Sequence, residues 1–327
     1  MVLYLSNEDV QKAVGIDDLV KNVRTALMDY GLKRAQNSRR HTLSLEGGIF
    51  RNMMAVIPAL EVVGLKEGMW KSSEKEGRTK DVERNTELVC LYSLKEEKLL
   101  SIIKSHRLNE LRTAAGSAIA TELLSRNNST TLGIIGTGPH AFAHLEVLQR
   151  IKPFKSYRVY SRKPENRKAF INKAQTMFDS VESVNCNSAE EVLEYSDVIV
   201  EATYSRDPVI KGDFIQDGTH INSIGSSFGG KQVLDDTLLR KMSRMVVDFK
   251  EQSLYDNSGD IIGPVSKNII AYPDIDELGQ LVAGVREARI SNDEVTVYKS
   301  LGMGLFDVAA AFSVYASAIK EGIGREI

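Results

Sequence analysis

The sequence has few cysteines and no large excess of charge of either sign. Cys90 and Cys186 are the only cysteines in 327 residues, and their spacing fits neither a disulfide framework nor a structural zinc site. We predict that both are buried apolar residues. The formal net charge is -2, and acidic and basic residues are interspersed without a basic tract. No nucleic-acid partner is therefore expected.

Long hydrophobic runs are also missing. No apolar stretch approaches the length that crosses a membrane, and the first eight residues lack the basic segment and apolar run of a secretory leader. We expect a soluble cytoplasmic protein with no membrane partner. The chain is longer than one hydrophobic core usually supports, so two domains are predicted.

The most informative segment is residues 131–141, TLGIIGTGPHA, which joins a short apolar strand to a helix through a glycine turn. This pattern predicts a dinucleotide-binding loop. Gly136 permits the tight turn, Gly138 lets a pyrophosphate approach the backbone, and Ala141 lets the helix pack on the strand. The alternative is an ordinary strand-to-helix turn. We assign cofactor contacts to Gly136, Thr137, Gly138, Pro139, His140 and Ala141.

The turn after the second predicted strand, residues 157–160, indicates which dinucleotide is bound. In such folds an acidic residue near this place binds the free ribose 2′-hydroxyl of NAD. Here the strand runs into Ser161, Arg162 and Lys163, and no carboxylate precedes Glu165. Two cations and a hydroxyl suit a 2′-phosphate, so NADP(H) is favoured, with NAD(H) as the alternative. Arg162 and Lys163 would otherwise be solvated loop charges.

The order of predicted elements gives the fold class. Residues 1–112 combine a helix at 17–33 with alternating runs at 53–57 and 86–94, which is typical of an α+β domain. Pro58 and the glycines at 47, 48, 64 and 68 predict turns between these runs. After an alanine-rich helix at 109–126, strands alternate with helices, as in a doubly wound parallel (Rossmann) sheet. The predicted strands of this part are 198–202, 220–224 and 245–248.

Three motifs occur in a characteristic order: Leu111-Arg112-Thr113-Ala114-Ala115, Gly136-Thr137-Gly138, and the turn KSLGMG at 299–304. Together they resemble the ornithine cyclodeaminase and μ-crystallin family across nearly the whole chain. The resemblance implies NAD(P)(H) binding and chemistry at the carbon–nitrogen bond of α-amino or α-imino acids. It also implies a homodimer built through the domain that does not bind the nucleotide.

The resemblance therefore divides the chain into an α+β substrate-binding and dimerisation domain and a Rossmann domain. The first comprises residues 1–112, to which 300–327 return, and the second comprises residues 113–299. Further cofactor contacts are assigned to Thr203, Ser300 and Gly302.

Carried over by position, the family's substrate site corresponds to Arg40, Lys66 and Arg112, with Lys66 and Arg112 as the catalytic residues. The residue types suit the chemistry, because an α-carboxylate needs a bidentate cation and the reacting nitrogen needs a proton donor. The alternatives are a solvated loop lysine at 66, a helix surface charge at 112, and Arg39 in place of Arg40.

Other candidate residues are not expected to take part in the reaction. His106 is expected to be structural, and Trp70 is expected to lie near Lys66 or in the core. His140 and His144 have the spacing of metal ligands, but no third ligand accompanies them, so no metal is expected. Asp307 matches a recurrent family acid, which we interpret as structural or close to the cofactor.

One departure from the family affects the predicted reaction. Cyclodeaminases and some dehydrogenases of the family carry an aspartate in a pattern close to Gly-x-Asp-x-x-Gly-Lys, and here residues 225–231 read GSSFGGK, with Ser227 at that position. That carboxylate handles the side-chain amine that attacks the imine. Asp235 and Asp236 follow too late to replace it and are expected to cap the next helix.

We therefore predict an NADP(H)-dependent oxidoreductase that acts on the C=N or CH–NH bond of an α-imino or α-amino acid, as a ketimine reductase or amino-acid dehydrogenase. A cyclodeaminase-type lyase with bound NAD is the second interpretation. A non-catalytic NADPH-dependent binder of small ligands is the third.

Overall fold

The computed structural model describes residues 1–71, 86–225 and 228–327, so Ser227 lies outside the described residues. The chain forms two compact units. Unit 1 comprises Met1–Arg112 and Gly302–Ile327, and unit 2 comprises Thr113–Leu301. None of the helices in the described ranges is long and apolar enough to span a membrane.

The elements follow in chain order. The first are β1 Leu3–Leu5, α1 Asn7–Ala13, α2 Ile16–Gly31, β2 Gln36–Asn37, β3 His41–Leu45, β4 Gly48–Ile57, β5 Val62–Lys71, β6 Leu88–Ser93, β7 Lys98–Lys104 and α3 His106–Leu124. Next come β8 Thr131–Ile135, α4 Pro139–Ile151, β9 Ser156–Tyr160, α5 Pro164–Met177, β10 Glu182–Asn185, α6 Ala189–Glu194, β11 Val198–Glu201 and β12 His220–Ser223. The last are α7 Asp236–Lys241, β13 Arg244–Val247, α8 Gln252–Tyr255, α9 Ile262–Ser266, β14 Asp276–Glu277, α10 Leu278–Val282, β15 Thr296–Lys299, α11 Gly304–Glu321 and β16 Arg325–Glu326.

Unit 1 is an α+β unit with a mixed sheet. The strand order is β16-β1-β7-β6-β5-β4-β2, with β3 paired to β4, and among the described pairs of this sheet only β1 and β7 run parallel. Helix α11 packs against α2 and against β4, β5 and β6. Its buried face consists almost entirely of small and apolar side chains, and Asp307 is the acid on that face.

The predicted turns at Gly64 and Gly68 are wrong, because both glycines lie inside β5. A Cβ atom at Gly64 would lie 2.8 Å from the carbonyl oxygen of Cys90 and 3.0 Å from Cγ2 of Val308. A Cβ atom at Gly68 would lie 2.9 Å from Cγ of Glu87. These glycines mark close packing within the sheet and not a change of chain direction.

Unit 2 contains a fully parallel sheet in the order β10-β9-β8-β11-β12-β15-β13-β14. The chain leaves β8 toward β9 on one side and returns to β11 on the other, so the strand order reverses at β8. This is the doubly wound architecture that the alternating pattern predicted, and dinucleotides bind such sheets outside the carboxyl ends of the strands. Asp235 caps α7 by accepting from the Leu238 amide at 2.7 Å, as expected.

The cysteines differ in exposure. Cys186 is buried, as predicted, whereas Cys90 is only partly buried because its side chain lies on the opposite face of β6 from Val89 and Leu91.

Candidate active site

The predicted dinucleotide loop connects β8 to α4 in unit 2. Gly136 has φ of +106°, and a Cβ atom there would lie 2.4 Å from the carbonyl oxygen of Ala202. Its amide donates to the Tyr160 carbonyl at 2.8 Å, which fixes the turn to the end of β9. Only glycine fits this position, because both the backbone angle and the lack of space exclude a side chain.

The N-terminus of α4 is available to an anion. Gly138 is the N-cap residue without a side-chain cap, Pro139 occupies the first turn, and a Cβ atom at Gly138 would meet nothing within 4 Å. Amides at such a terminus bind phosphate, and the helix dipole favours negative charge. Thr137 and His140 are partly exposed, whereas Ala141 is buried and acts through packing. These residues fit the pyrophosphate of a dinucleotide.

The ribose turn, Ser161 to Lys163, lies between β9 and α5. The side chains of Arg162 and Lys163 are exposed, and the turn itself contains no carboxylate. Its backbone is held by Arg167, which is nearly buried and donates to the Ser161 carbonyl at 2.7 Å and to Asn185 Oδ1 at 2.8 Å. The sequence interpretation had not singled out Arg167.

The other cofactor candidates of unit 2 lie at the carboxyl ends of their strands and are engaged with buried acids. The hydroxyl of Thr203 donates to Glu201 Oε1 at 2.6 Å, and that carboxylate also accepts from the Gly225 amide at 3.0 Å. Ser300 Oγ donates to Asp248 Oδ2 at 3.2 Å. Their side chains therefore shape the backbone at this edge of the sheet.

His144 is structural. Burial lowers its pKa to about 4, so the ring is neutral at physiological pH. One ring nitrogen lies 2.9 Å from Ser117 Oγ and the other lies 2.7 Å from the His140 carbonyl. The first contact joins α4 to α3, and the second lies within α4, so both ring nitrogens are engaged inside the protein.

Unit 1 contains a buried cluster of charged side chains around Lys66, which lies in β5 and is 4% exposed. Its Nζ donates to Asn109 Oδ1 at 2.5 Å and lies 3.0 Å from Glu87 Oε2 and 3.3 Å from Asp307 Oδ1. A solvated loop lysine is therefore excluded. A lysine buried at this depth requires such acidic and amide partners.

Arg112 joins the same cluster from α3. It is 6% exposed, its Nε lies 3.0 Å from Asp307 Oδ1, and its Nη2 donates to Asn109 Oδ1 at 2.8 Å. Asn109 and Asp307 thus each contact both Lys66 and Arg112. The guanidinium is held in one orientation and is not a helix surface charge.

Arg40 contacts Gly302, which lies beside Arg112 of the cluster. Its Nη2 lies 3.5 Å from the Gly302 carbonyl. Gly302 has φ of +82°, and a Cβ atom there would lie 3.0 Å from Arg40 Nη2 and 3.7 Å from Arg112 Nη1. The three cations that the family resemblance selected therefore converge, whereas Arg39 is exposed. Gly302, for which a cofactor contact is predicted, lies beside these arginines in unit 1.

The formal charges of the cluster leave one positive charge in excess. Arg40, Lys66 and Arg112 contribute three positive charges, and Glu87 and Asp307 contribute two negative charges. Such an arrangement can bind a monoanionic carboxylate and can deliver a proton from Lys66. The His106 side chain is 43% exposed, and its Nε2 lies 3.9 Å from Glu110 Oε1.

The sequence interpretation missed Glu87 and Asn109. The signal for Glu87 is strand alternation, because it shares the inward face with Val89 and Leu91. An acid at an inward position indicates a buried partner. Gly68 leaves room for its side chain, and Trp70 Nε1 donates to Glu87 Oε1 at 3.2 Å, so the tryptophan orients the acid. Asn109 lies one helical turn before Arg112, on the same side of α3.

Comparisons with known proteins identify the family of this chain. Residues 2–322 match the model of the ornithine cyclodeaminase/mu-crystallin family. An alanine dehydrogenase from Archaeoglobus fulgidus is 33% identical over 326 residues, covering 99% of this chain and 98% of that protein.

Two solved structures are similar over the whole chain. Delta(1)-pyrroline-2-carboxylate reductase of Thermococcus litoralis, in complex with NADH and L-proline, has 30% identity and a TM-score of 0.92, with 100% of both chains covered. A dimeric archaeal alanine dehydrogenase with bound NAD has 31% identity and a TM-score of 0.90, covering 100% of this chain and 98% of that one. The motifs, the doubly wound sheet and the full-length matches agree, and the chain belongs to the ornithine cyclodeaminase/mu-crystallin family.

Proposed function

We propose that this protein is an NAD(P)H-dependent oxidoreductase that reduces the C=N bond of an α-imino acid, or oxidises the corresponding α-amino acid. The observation that carries the proposal is the buried cluster in which Lys66 and Arg112 share Asn109 and Asp307. Relatives named as a pyrroline-2-carboxylate reductase and an alanine dehydrogenase support this substrate class.

The residues of the cluster have separate roles in this reaction. Arg112 and Arg40 bind the α-carboxylate, which fixes the carbon that is reduced. Lys66 holds the proton for the nitrogen, and Glu87 and Asp307 keep its ammonium in place. The reduced nicotinamide, when bound, supplies the hydride. Catalysis then comes mainly from positioning and electrostatics, because no covalent intermediate with the protein is needed.

We propose that the protein is a homodimer that uses unit 1 for dimerisation. The support is that the related archaeal alanine dehydrogenase is a dimer. Sedimentation equilibrium should give twice the mass of the 36.3 kDa chain.

The decisive test is an assay of NADPH and NADH oxidation with Δ1-pyrroline-2-carboxylate and, separately, with pyruvate plus ammonia. We expect imine-dependent oxidation of the cofactor. In parallel, L-ornithine with a catalytic amount of NAD should give no useful release of ammonia, because Ser227 replaces the acid of the cyclodeaminases. Robust ammonia release without net cofactor turnover would establish the lyase instead, and cofactor binding without either reaction would establish a binding protein.

We further propose that NADPH is preferred over NADH, on the basis of the cations in the ribose turn. Arg162→Ala should lower the affinity for NADPH about tenfold and change that for NADH little, because one charge-assisted phosphate contact is lost. The dissociation constants can be measured by nicotinamide fluorescence, with the exposed Lys168→Ala on α5 as the control. Equal affinities of the unmodified protein for both cofactors would contradict the preference.

A further inference from the structure

In the part of the chain that the structure describes, only Oδ1 of the Asp307 carboxylate is hydrogen-bonded. The side chain is 1% exposed and lies in the first turn of α11. Oδ1 lies 3.0 Å from Arg112 Nε and 3.3 Å from Lys66 Nζ. Oδ2 is fully buried and has no hydrogen-bond partner within residues 1–71, 86–225 and 228–327. Leaving such an oxygen unsatisfied costs about 1 to 3 kcal/mol, so its retention calls for an explanation.

The described donors nearest to this carboxylate are already engaged with its Oδ1 or with neighbouring acceptors. Lys66 Nζ is shared with Asn109 and Glu87, and Arg112 Nη2 is directed to Asn109. A carboxylate oxygen can only accept hydrogen bonds, so the group that completes it must be a donor. A bound molecule with an N–H group satisfies this requirement.

The position of this oxygen also restricts the donor. Oδ2 is bonded to the same carbon as Oδ1, which lies against the Arg112 guanidinium. A molecule whose carboxylate binds Arg112 and whose N–H reaches Asp307 must therefore carry both groups close together. An α-imino or α-amino acid carries them on one carbon.

We propose that, once Lys66 has protonated the imine nitrogen, Asp307 Oδ2 accepts the resulting N–H, and that Asp307 thereby distinguishes α-imino acids from the 2-oxo acids of the same skeleton. The inference rests on the proposed imine reduction and names the residue that selects its substrate. A 2-oxo acid presents a carbonyl oxygen in place of the N–H, so two acceptors would face each other in a buried site. A site built to bind an N–H can reject an analogue that lacks it by about 10⁴-fold.

The first test uses the unmodified protein with its oxidised cofactor. L-Proline carries the N–H, and tetrahydrofuran-2-carboxylate has an oxygen in its place in a ring of the same size. We expect L-proline to inhibit at least about 100-fold more strongly than the oxygen analogue, since the analogue leaves Asp307 facing an acceptor. Similar inhibition constants would overturn the inference, and this comparison requires no variant to fold.

The second test uses Asp307→Asn, which keeps the shape and replaces one oxygen with a donor. With the amide oxygen facing the two cations, the amide nitrogen faces the substrate. The preference of the variant should shift toward the 2-oxo acid: binding of L-proline should weaken about 100-fold, whereas binding of 2-oxopentanoate should strengthen about tenfold. Glu87→Gln is the matched control, because it removes the same charge beside the same Lys66 ammonium. We expect it to leave the ratio of the two inhibition constants within about threefold.

The outcomes separate the two proposals. If Asp307→Asn and Glu87→Gln shift both inhibition constants alike, the effect is one of charge alone and the role of Asp307 is refuted. If the unmodified protein reduces imines but the ratio of the inhibition constants of L-proline and 2-oxopentanoate is the same in Asp307→Asn as in the unmodified protein, the inference fails and the proposed function stands. If the unmodified protein neither reduces an imine nor binds L-proline, the proposed function fails, and the inference fails with it.

Discussion

Arg112→Ala should lower kcat/KM for the imino acid by about 30- to 1,000-fold, which corresponds to about 2 to 4 kcal/mol. The physical reason is that the substrate carboxylate would enter a buried site without the guanidinium N–H groups that bind it. Most of the loss should appear in the apparent KM, because the interaction exists before and during the reaction. Cofactor affinity should survive, since the dinucleotide loop belongs to residues 131–141 in unit 2. Steady-state kinetics and cofactor titration give both quantities.

The control for this prediction is Arg107→Ala. Arg107 lies on the same helix and pairs with Glu110 at 2.8 Å. A general loss of charge or of helix stability would affect both variants. If Arg112→Ala and Arg107→Ala have the same kcat/KM as the unmodified protein, the carboxylate is bound elsewhere.

Lys66→Met should reduce kcat by about 100- to 10,000-fold, because it removes the proposed proton donor. The same change should destabilise the protein by about 3 to 5 kcal/mol, since it removes the cation between the buried acids Glu87 and Asp307. Single-turnover kinetics measure the chemical step, and urea unfolding measures the stability.

A double variant separates these two effects. Lys66→Met with Glu87→Gln removes the ammonium together with the acid 3.0 Å away. It should recover part of the lost stability, because one buried charge fewer is uncompensated, but it should not recover turnover. Recovery of both would mean that Lys66 serves the fold alone, and an unchanged kcat in a stable Lys66→Met protein would remove it from the mechanism.

The doubly wound sheet could be predicted because its signals are local. The apolar strand, Gly136 and the helix after it are consecutive in sequence, and the φ of +106° at Gly136 is what a glycine at this turn provides. The alternation of strands and helices then indicated a parallel sheet. The absence of an acid at 161–163 was equally visible in the sequence, because it depends on residue type at a known place in the turn.

The glycines of β5 show where such local inference fails. The sequence predicts turns at Gly64 and Gly68, yet both lie in a ten-residue strand. Their small size is required by neighbours that are distant in the chain, such as Val308 beside Gly64. A local pattern carries no information about a contact of this kind.

The sequence by itself determined the family and the doubly wound sheet, and it selected the three cations for which we propose a substrate site. Only the tertiary structure decided which acids accompany those cations. The pairing of β5 with β6 places Glu87 beside Lys66, and the packing of α11 on the sheet of unit 1 places Asp307 beside both Lys66 and Arg112. Charge is visible in a sequence, but burial is not. Because a buried charge persists only with partners brought from distant segments, the long-range packing fixes the chemistry of this cluster.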